Sequence, residues 1–294
     1  MNSDSSHSQA ASPTSATIID GRLLAKKVRE DVALRVKESS QPVRLDAILV
    51  GEDTSASLYA ENQKRTCAKV GIEYVLHPLP ADSDESVIAD QISNLNRDDM
   101  VTAIMMHLPL PEEVDTERLQ SMIRADKDVE GVNPANIGNI VYGRRSLVPC
   151  TALAAVEMIE STGITLRGSR CVLVGASNIV GKPVAVLLMR SEATVISTNK
   201  FTTNISELTA QADVLVSAAG VAGLITRDMV KPGAVVIDVG INRIREESGE
   251  LRTVGDVLFE DVSQVAGYIS PVPGGVGPMT VAMLLRNTAD AAGA

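Results

Sequence analysis

The sequence predicts an α/β protein of two lobes that flank a cleft, with a parallel, Rossmann-like sheet in the C-terminal lobe. Apolar runs of strand length alternate with helical patterns along most of the 294 residues, which is typical of parallel sheets with right-handed crossovers. Hydrophobic residues make up 45% but aromatic residues only 2%, so the core is built from aliphatic side chains. Residues 171–183 have the pattern of a buried strand, a glycine turn and a helix start.

The N-terminal half alternates between helical and strand-like patterns after its first residues. Residues 2–17 are rich in Ser, Ala and Thr without an apolar core, so we expect residues 1–17 to form a disordered tail. Helices are predicted over 19–39, 57–70 and 84–95, and strands over 45–50, 74–76 and 101–106. These elements define a first domain, residues 18–151, with a sheet that we expect to be parallel.

A second series of strands and helices begins near residue 170 and predicts the Rossmann-like domain, residues 152–278. Strands are expected over 171–174, 194–197, 214–217 and 234–238, and helices over 180–190, 204–211 and 226–230. A helix over 152–162 connects the lobes. The final helix, 279–292, is expected to return to the N-terminal lobe, so that residues 279–294 belong to the first domain.

The glycine turn after the strand at 171–174 is the main indication of a nucleotide site. Gly175 can adopt backbone conformations that side chains forbid, Ser177 leaves room for a ligand, and Gly181 allows close helix packing. The exposed helix start offers N–H groups and partial positive charge to a phosphate. The candidate cofactor-binding residues here are Gly175, Ala176, Ser177, Ile179 and Val180. The alternative is an ordinary strand-to-helix turn, since the spacing is one residue longer than the usual fingerprint.

The residues after the second Rossmann strand favour NADP as the cofactor. An NAD site usually has an acidic residue there, but residues 199–206, which follow this strand, contain no carboxylate, and the first one is Glu207. Lys200 is placed to pair with a 2′-phosphate; the alternative is an ordinary solvated lysine of a loop. After the strand at 234–238, Val239 and Gly240 are expected to contact the cofactor through their backbone, and Ile241 is a further candidate cofactor contact.

The amino-acid composition limits which partners the protein can bind and indicates its cellular compartment. The formal net charge of -10 argues against nucleic acid and anionic membranes, since both require positive surface. No apolar run approaches the length of a membrane span. Cys67, Cys150 and Cys171 have no paired spacing, which is typical of a reducing compartment, so we expect a cytoplasmic protein. No metal site is expected, because the calcium-like series from Asp126 has Ile137 where a bidentate Glu is required.

Several motifs occur together and in a specific order. They are the segments 175–183, 236–242, 254–257 and 271–280, preceded by Gly51, Tyr59, 108–111 and 126–131. Together they resemble the bifunctional methylenetetrahydrofolate dehydrogenase/cyclohydrolase (FolD) family over about residues 18–292. The resemblance implies NADP-linked oxidation of 5,10-methylenetetrahydrofolate to the 5,10-methenyl form, followed by hydrolysis to 10-formyltetrahydrofolate. It also implies a homodimer formed through the Rossmann lobes and a role in one-carbon metabolism that feeds purine biosynthesis.

One departure from the family concerns a Tyr and a Lys four residues later, which the resemblance places on one helix face in the cleft. Tyr59 is present, but Gln63 occupies the Lys position, and Lys64 is rotated by about 100° around the helix. Hydride transfer needs alignment more than a titrating group, whereas hydrolysis needs proton transfers that a Gln amide cannot perform. We therefore expect dehydrogenase activity to survive and cyclohydrolase activity to be weak or absent.

Further departures fall in the same implied cleft. His107 stands where the family has Gln and is either a proton carrier or a neutral histidine at a strand end; Glu130 replaces a pterin-binding Asp, and Ala56 a Ser. The resemblance assigns catalytic roles to Tyr59, Gln63, His107 and Asp128, and substrate contacts to Tyr59, Leu108, Glu130, Pro271, Gly274 and Gly275. Three alternatives stay open: a monofunctional dehydrogenase acting on a modified pterin, a folate-binding regulator without turnover, and an unrelated α/β dehydrogenase.

Overall fold

The computed structural model describes residues 15–51, 54–144, 147–246 and 249–294, and leaves the side chains of residues 54–59 undescribed. The described chain begins with strand β1 (Thr17–Ile18) and helix α1 (Gly21–Glu38), whose first N–H groups donate to the Asp20 carboxylate. The tail expected over residues 1–17 is wrong at its end, because Ala16 is buried and Thr17 pairs with Tyr268. Residues 1–14 lie outside the described part of the chain.

The N-terminal lobe contains three parallel strands, β2 (Arg44–Val50), β3 (Glu73–Leu79) and β4 (Ala103–Met106), with β2 in the centre. The accompanying helices are α2 (Thr54–Lys69), α3 (Glu85–Arg97), α4 (Thr116–Met122) and α5 (Pro134–Tyr142). Successive β2 side chains face opposite sides of the sheet. Leu45 and Ala47 lie in the large core that includes α1 residues, whereas Ile48 packs into a separate core with Ile88 and Ile92 of α3. Both faces of β2 are therefore covered, which explains its almost continuous apolar run.

Helix α6 (Cys150–Glu160) leads into the C-terminal lobe and its six-stranded sheet. The next elements are β5 (Arg170–Val174), α7 (Gly181–Arg190), β6 (Thr194–Thr198), α8 (Ile205–Thr209), β7 (Val214–Ser217) and β8 (Val235–Asp238). An antiparallel hairpin of β9 (Asn242–Arg245) and β10 (Leu251–Val254) follows, then α9 (Phe259–Val262), β11 (Tyr268–Ile269) and α10 (Val276–Ala291). The sheet is parallel, in the order β1-β11-β8-β7-β5-β6. The strand order reverses beside β5, and nucleotides bind at such a point in Rossmann folds.

The last helix of the chain returns to the N-terminal lobe. Helix α10 packs against α1 and α6, and Arg35 of α1 forms an ion pair with Asp290. The side-chain amide of Asn287 donates to the carbonyl oxygens of Val129 at 2.8 Å and Val148 at 2.9 Å. The predicted fold class, two α/β lobes with a Rossmann-like C-terminal sheet and a returning helix, is confirmed.

The differences from the sequence prediction are in short elements. Strands β1 and β11 have two residues each, which is too short to produce a recognisable period, and the β9–β10 hairpin was also missed. The helix predicted over 226–230 is a single 3-10 turn, Arg227–Met229. Among the described residues, no helix is both long enough and apolar enough to cross a membrane.

Candidate functional site

The glycine turn at the start of α7 brings backbone against backbone. Gly175 has a φ of +112°, and a Cβ built there would lie 2.3 Å from the carbonyl oxygen of Ala218. A Cβ on Gly181 would lie 2.0 Å from the carbonyl oxygen of Gly175. Since real Cβ atoms do not approach oxygen so closely, both positions require glycine for this arrangement of strand, turn and helix. The glycines predicted at 175 and 181 therefore have the steric role that the sequence suggested.

The residues between these two glycines leave the start of α7 open. The Ser177 hydroxyl accepts the backbone N–H of Val180 at 3.2 Å and of Gly181 at 3.4 Å, so it stabilises the turn that leads into α7. Ala176 is half-buried, and Ile179 is exposed over 50% of its surface. No bulky side chain stands at positions 175–177, so a phosphate can approach the turn. This part of the chain fits a dinucleotide.

The loop after β6 contains the predicted 2′-phosphate ligand, Lys200. Lys200 is exposed, and its Nζ lies 5.1 Å from the ring centroid of Phe201, which is itself 80% exposed. The turn is held by two hydrogen bonds: the Asn199 N–H donates to Thr202 Oγ1, and the Phe201 N–H donates to Asn199 Oδ1, both at 2.9 Å. A lysine without a neighbouring carboxylate in this loop fits NADP better than NAD.

Two motifs that are distant in the sequence line one small cavity. A cavity of about 90 Å³ is lined by residues 238–241 at the end of β8, by residues 271–278 before and within α10, and by Thr253. The predicted cofactor contacts Val239, Gly240 and Ile241 therefore lie beside the predicted substrate contacts Pro271, Gly274 and Gly275. The peptide bond between Val272 and Pro273 is cis, and Gly274 has a φ of +113°.

Gly21, at the start of α1, packs against this loop. The sequence analysis did not identify Gly21 as a candidate residue. A Cβ on Gly21 would lie 1.9 Å from the carbonyl oxygen of Gly275. The first helix of the chain thus packs directly on the loop before α10, and only glycine permits that approach. Nothing in the local sequence around Gly21 identifies its partner, because the two residues are more than 250 positions apart.

A second group of candidate residues surrounds the carboxyl end of β4 in the N-terminal lobe. We call Gln63, Tyr74, His107, Asp128 and Glu130 the β4 cluster. The Gln63 amide nitrogen lies 3.5 Å from the Met105 sulfur, and the Met106 N–H donates to Glu130 Oε2 at 3.4 Å. His107 Nε2 lies 2.9 Å from the Tyr74 hydroxyl oxygen. Three successive residues, 105–107, thus contact three members of the cluster.

Burial changes the proton affinity of this cluster. Desolvation raises the pKa of Glu130 to about 7, the Met106 N–H lowers it, and the Asp128 charge raises it. Desolvation also raises the pKa of Asp128, although its carboxylate accepts the Asn133 N–H at 2.7 Å and the Asn136 amide at 3.0 Å. Glu130 can therefore bind and release a proton near neutral pH, and a negative charge on Asp128 favours its protonated form.

The environment of His107 favours the second of its two interpretations. The ring is buried, and desolvation lowers its pKa, so the imidazole is neutral at pH 7. Its hydrogen bond to Tyr74 places it at the end of β4 as a structural partner. Tyr74 was not predicted, because it lies on β3 and only sheet formation brings it to His107.

Gln63 is buried, and its side-chain amide makes few hydrogen bonds with the described residues. Only 4% of its surface is exposed, and its Oε1 atom has no hydrogen-bond partner among the described residues. Among the described residues, the partner of its amide nitrogen is the Met105 sulfur, a weak acceptor. The side chain of Tyr59, predicted to share its helix face, lies outside the described residues, as does that of Ala56. Leu108, the remaining predicted substrate contact, is 49% exposed and precedes a cis bond to Pro109.

The two lobes approach each other at the glycine turn. A cavity of about 410 Å³ is lined on one side by α4, α5 and Val132, and on the other by Asn178, Ile179 and Lys182. The Asn178 amide lies 3.4 Å from the Glu117 carboxylate across this gap. Among the described residues, no group of three His, Cys, Asp or Glu side chains is arranged to hold a metal ion.

The fold and the site define a class of protein: a two-lobed α/β protein with a dinucleotide-type turn on one lobe and buried carboxyl groups on the other. Comparison with family models identifies the class more closely. Residues 19–130 match the catalytic domain of tetrahydrofolate dehydrogenase/cyclohydrolase, and residues 149–294 match the NAD(P)-binding domain of the same enzymes. The chain therefore belongs to the tetrahydrofolate dehydrogenase/cyclohydrolase family.

Individual relatives agree with this assignment. The bifunctional protein FolD of Moorella thermoacetica is 45% identical over 94% of this chain and 99% of its own length. A bifunctional FolD enzyme from Campylobacter jejuni has a crystal structure with a TM-score of 0.89 and 39% identity, covering 95% of this chain and 99% of its own. The Trypanosoma brucei FolD, solved in complex with NADP cofactor and an inhibitor, has a TM-score of 0.88 and 34% identity, covering 95% and 98%.

Proposed function

We propose that this protein oxidises 5,10-methylenetetrahydrofolate to 5,10-methenyltetrahydrofolate with NADP. Family membership supports the reaction, and the glycine turn with its neighbouring Lys200 loop supports the cofactor. Residues 152–278 bind NADP. Residues 18–151, with residues 279–294 returning to them, bind the folate. Gly175, Ala176, Ser177, Ile179 and Val180 receive the pyrophosphate region, and Lys200 pairs with the 2′-phosphate.

The hydride step depends on alignment. Bound NADP supplies the hydride acceptor, while the chain holds the one-carbon bridge of the folate against it. The cavity shared by residues 238–241 and 271–278 supports this role, because it places cofactor contacts and substrate contacts side by side. The backbones of Gly274 and Gly275 let the loop run flat against both ligands. Pro271 and Leu108 supply apolar contact, and Glu130 accepts hydrogen bonds from the pterin amino group.

The cyclohydrolase step is weak or absent in this proposal. Gln63 is buried and neutral, and an amide can orient water but cannot exchange a proton at any ordinary pH. His107 is neutral and bonded to Tyr74, so neither His107 nor Gln63 supplies the cationic acid of a lysine. Glu130, whose pKa is raised to about 7, is assigned here to the pterin amino group. Hydrolysis of the methenyl cation requires water activation and release of a ring nitrogen, and both involve proton transfer. The burial of Gln63 is the observation on which this part of the proposal depends.

The test is a pair of assays on one preparation. NADPH absorbance after addition of methylenetetrahydrofolate and NADP measures the dehydrogenase, with NAD as a parallel sample. Loss of methenyltetrahydrofolate absorbance measures the hydrolysis. We expect Gln63→Lys to raise hydrolysis about 100-fold or more, because general acid–base groups contribute on this scale. The control Lys64→Gln changes the exposed neighbouring residue and should leave both rates unchanged.

Three outcomes would contradict the proposal. Wild-type hydrolysis at a rate comparable with the dehydrogenase would show that Gln63 does not impair the second step. Binding of folate without NADPH formation would favour a regulator, and activity only on an altered pterin would favour a different substrate.

We also propose that two copies of the chain pair through their Rossmann lobes and that the protein is cytoplasmic. The family resemblance supports the homodimer, and the scattered, reduced cysteines support the compartment. Light scattering on the purified protein gives the mass directly. A monomeric mass at the concentration of the assays would contradict the dimer.

A further inference from the structure

Asp256, in the motif 254–257, is fully buried and yet has an unusual number of hydrogen-bond donors around it. Its Oδ2 accepts the Ser217 hydroxyl at 3.0 Å and the backbone N–H groups of Ala219 and Gly220 at 2.7 and 3.1 Å. Its Oδ1 accepts the Val221 N–H at 2.9 Å and the Asn242 amide at 3.0 Å. A buried carboxylate with donors on both oxygens is a strong local constraint on the segments that supply them.

Asp238, at the end of β8, forms hydrogen bonds with the backbone next to Asp256. Its Oδ1 accepts the N–H groups of Gly240 at 2.9 Å and Asp256 at 3.0 Å, and its Oδ2 accepts that of Val257 at 2.9 Å. Its own N–H donates to the Ser270 hydroxyl at 2.8 Å, just before the loop 271–278. The two aspartates thus tie together the loop after β7, the loop after β8 and the approach to α10.

Glycines confirm how closely these segments pack. A Cβ on Gly240 would lie 2.1 Å from Asp256 Oδ1, and a Cβ on Gly255 would lie 1.9 Å from Asp238 Oδ2. Each carboxylate occupies the space that a side chain on the facing glycine would need. The arrangement therefore has little freedom to change without breaking several hydrogen bonds at once.

The loops that Asp256 holds are those that end the central strands of the Rossmann sheet. Strand β7 lies next to β5, which carries the glycine turn, and β8 is the following strand. Ligands of such sheets bind outside the carboxyl ends of the strands at this point. Residues 238–241 also line the 90 Å³ cavity with the loop 271–278.

We propose that Asp256 is a positioning residue for the dinucleotide: it does not touch the nucleotide but fixes the loops 217–221 and 238–242 against which the nucleotide binds. This inference rests on the proposed function, since it assumes that the Rossmann lobe binds NADP. Asp256 is too deeply buried to act by contact, and both of its carboxylate oxygens already accept hydrogen bonds from the chain.

The test compares Asp256→Asn with Asp213→Asn. In Asp256→Asn, whichever way the amide is turned, its NH₂ group faces at least two of the former donors. Asp213 is the matched control, because it accepts the Arg170 N–H at 2.8 Å and the Lys231 ammonium at 2.5 Å at the amino end of β7, the far edge of the same sheet. Both variants lose carboxylate hydrogen bonds, but only position 256 lies at the carboxyl ends of the strands, where the nucleotide is proposed to bind.

Fluorescence titration with NADPH gives the Kd, and steady-state assays give kcat and the separate KM values for NADP and folate. We expect Asp256→Asn to raise the Kd and KM for NADP about tenfold or more, as loss of charge-assisted hydrogen bonds predicts. Its kcat at saturating NADP should change less than these constants, because Asp256 itself contacts neither reacting group. Asp213→Asn should lower stability while leaving the NADP constants within about twofold. If the role of Asp256 were purely structural, both variants would lose stability, and neither would show a selective rise in the Kd and KM for NADP.

A milder variant covers failure of Asp256→Asn to fold. Ser217→Ala removes one donor and leaves the carboxylate with the others, and should raise the Kd for NADPH about threefold. If the folded variants at positions 217 and 256 bind NADPH as wild type does, the inference is overturned while the proposed function stands. If the wild-type protein itself does not bind NADPH, both are overturned.

Discussion

Replacing Gln63 by methionine should make the protein more stable. The Gln63 side chain is 4% exposed, and its nitrogen lies 3.5 Å from the Met105 sulfur. Its Oε1 has no hydrogen-bond partner among the described residues. A buried polar atom without a hydrogen bond costs about 1–3 kcal/mol. Methionine has a similar length and flexible bonds, and its sulfur packs well in irregular apolar space. We therefore expect Gln63→Met to raise the free energy of unfolding by about 1–3 kcal/mol.

Urea unfolding, followed by far-UV circular dichroism, measures this change at constant m-value. The control is Lys64→Met, which adds the same residue to the same helix at an exposed position, where the helix propensities of Lys, Gln and Met are similar. The control should stay within about 0.5 kcal/mol of wild type. If Gln63→Met is less stable than wild type, the amide is satisfied in the folded protein and the reasoning is wrong. A variant that is more stable but has a raised KM for folate would show that the amide oxygen serves the ligand.

Two further predictions concern charge. Lys200→Glu should raise the KM for NADP at least tenfold while changing that for NAD much less, because a carboxylate repels the 2′-phosphate; equal changes for both cofactors would contradict the assignment. Desolvation, with a contribution from the Asp256 charge, raises the pKa of Asp238 to about 6. Since the folded pKa exceeds the unfolded value of about 3.9, the folded state binds more protons between these pH values. The free energy of unfolding should thus fall as pH rises from about 4 to about 6, by up to about 3 kcal/mol. Urea midpoints across this range should show a smaller decline for Asp238→Asn; an equal decline would contradict the assignment.

The sequence predicted those helices, strands and turns that a pattern of a few adjacent residues is enough to indicate. Strand β5, the glycine turn and α7 were placed almost to the residue, because a short apolar run followed by glycines is informative by itself. The long helices α1 and α3 were found for the same reason, since each has an apolar stripe of several turns. The two-residue strands β1 and β11 were missed, because their pairing depends on partners elsewhere in the chain.

The sequence predicted the candidate site only in part. The contacts that it did not predict join residues that are far apart in the sequence. Gln63, His107 and Glu130 were identified through the family resemblance, but their contacts with Met105, Tyr74 and Met106 were not. The position of Glu130 beside buried Asp128 changes its pKa, and no sequence pattern reports burial of that kind. The sequence motif that contains Asp256 was noted without its role, because its five donors come from two distant loops.

By itself, the sequence determined the α/β class, the glycine turn, the absence of an acid after β6 and the identity of the residue at position 63. These depend on backbone preferences and side-chain chemistry that act over a few residues. Only the tertiary structure decided that Gln63 is buried and that its oxygen has no partner in the described part of the chain. It also decided that His107 is bonded to Tyr74 and that Gly21 packs on Gly275. Burial and hydrogen bonding between distant residues depend on how sheets and helices pack, and a linear pattern does not contain that information.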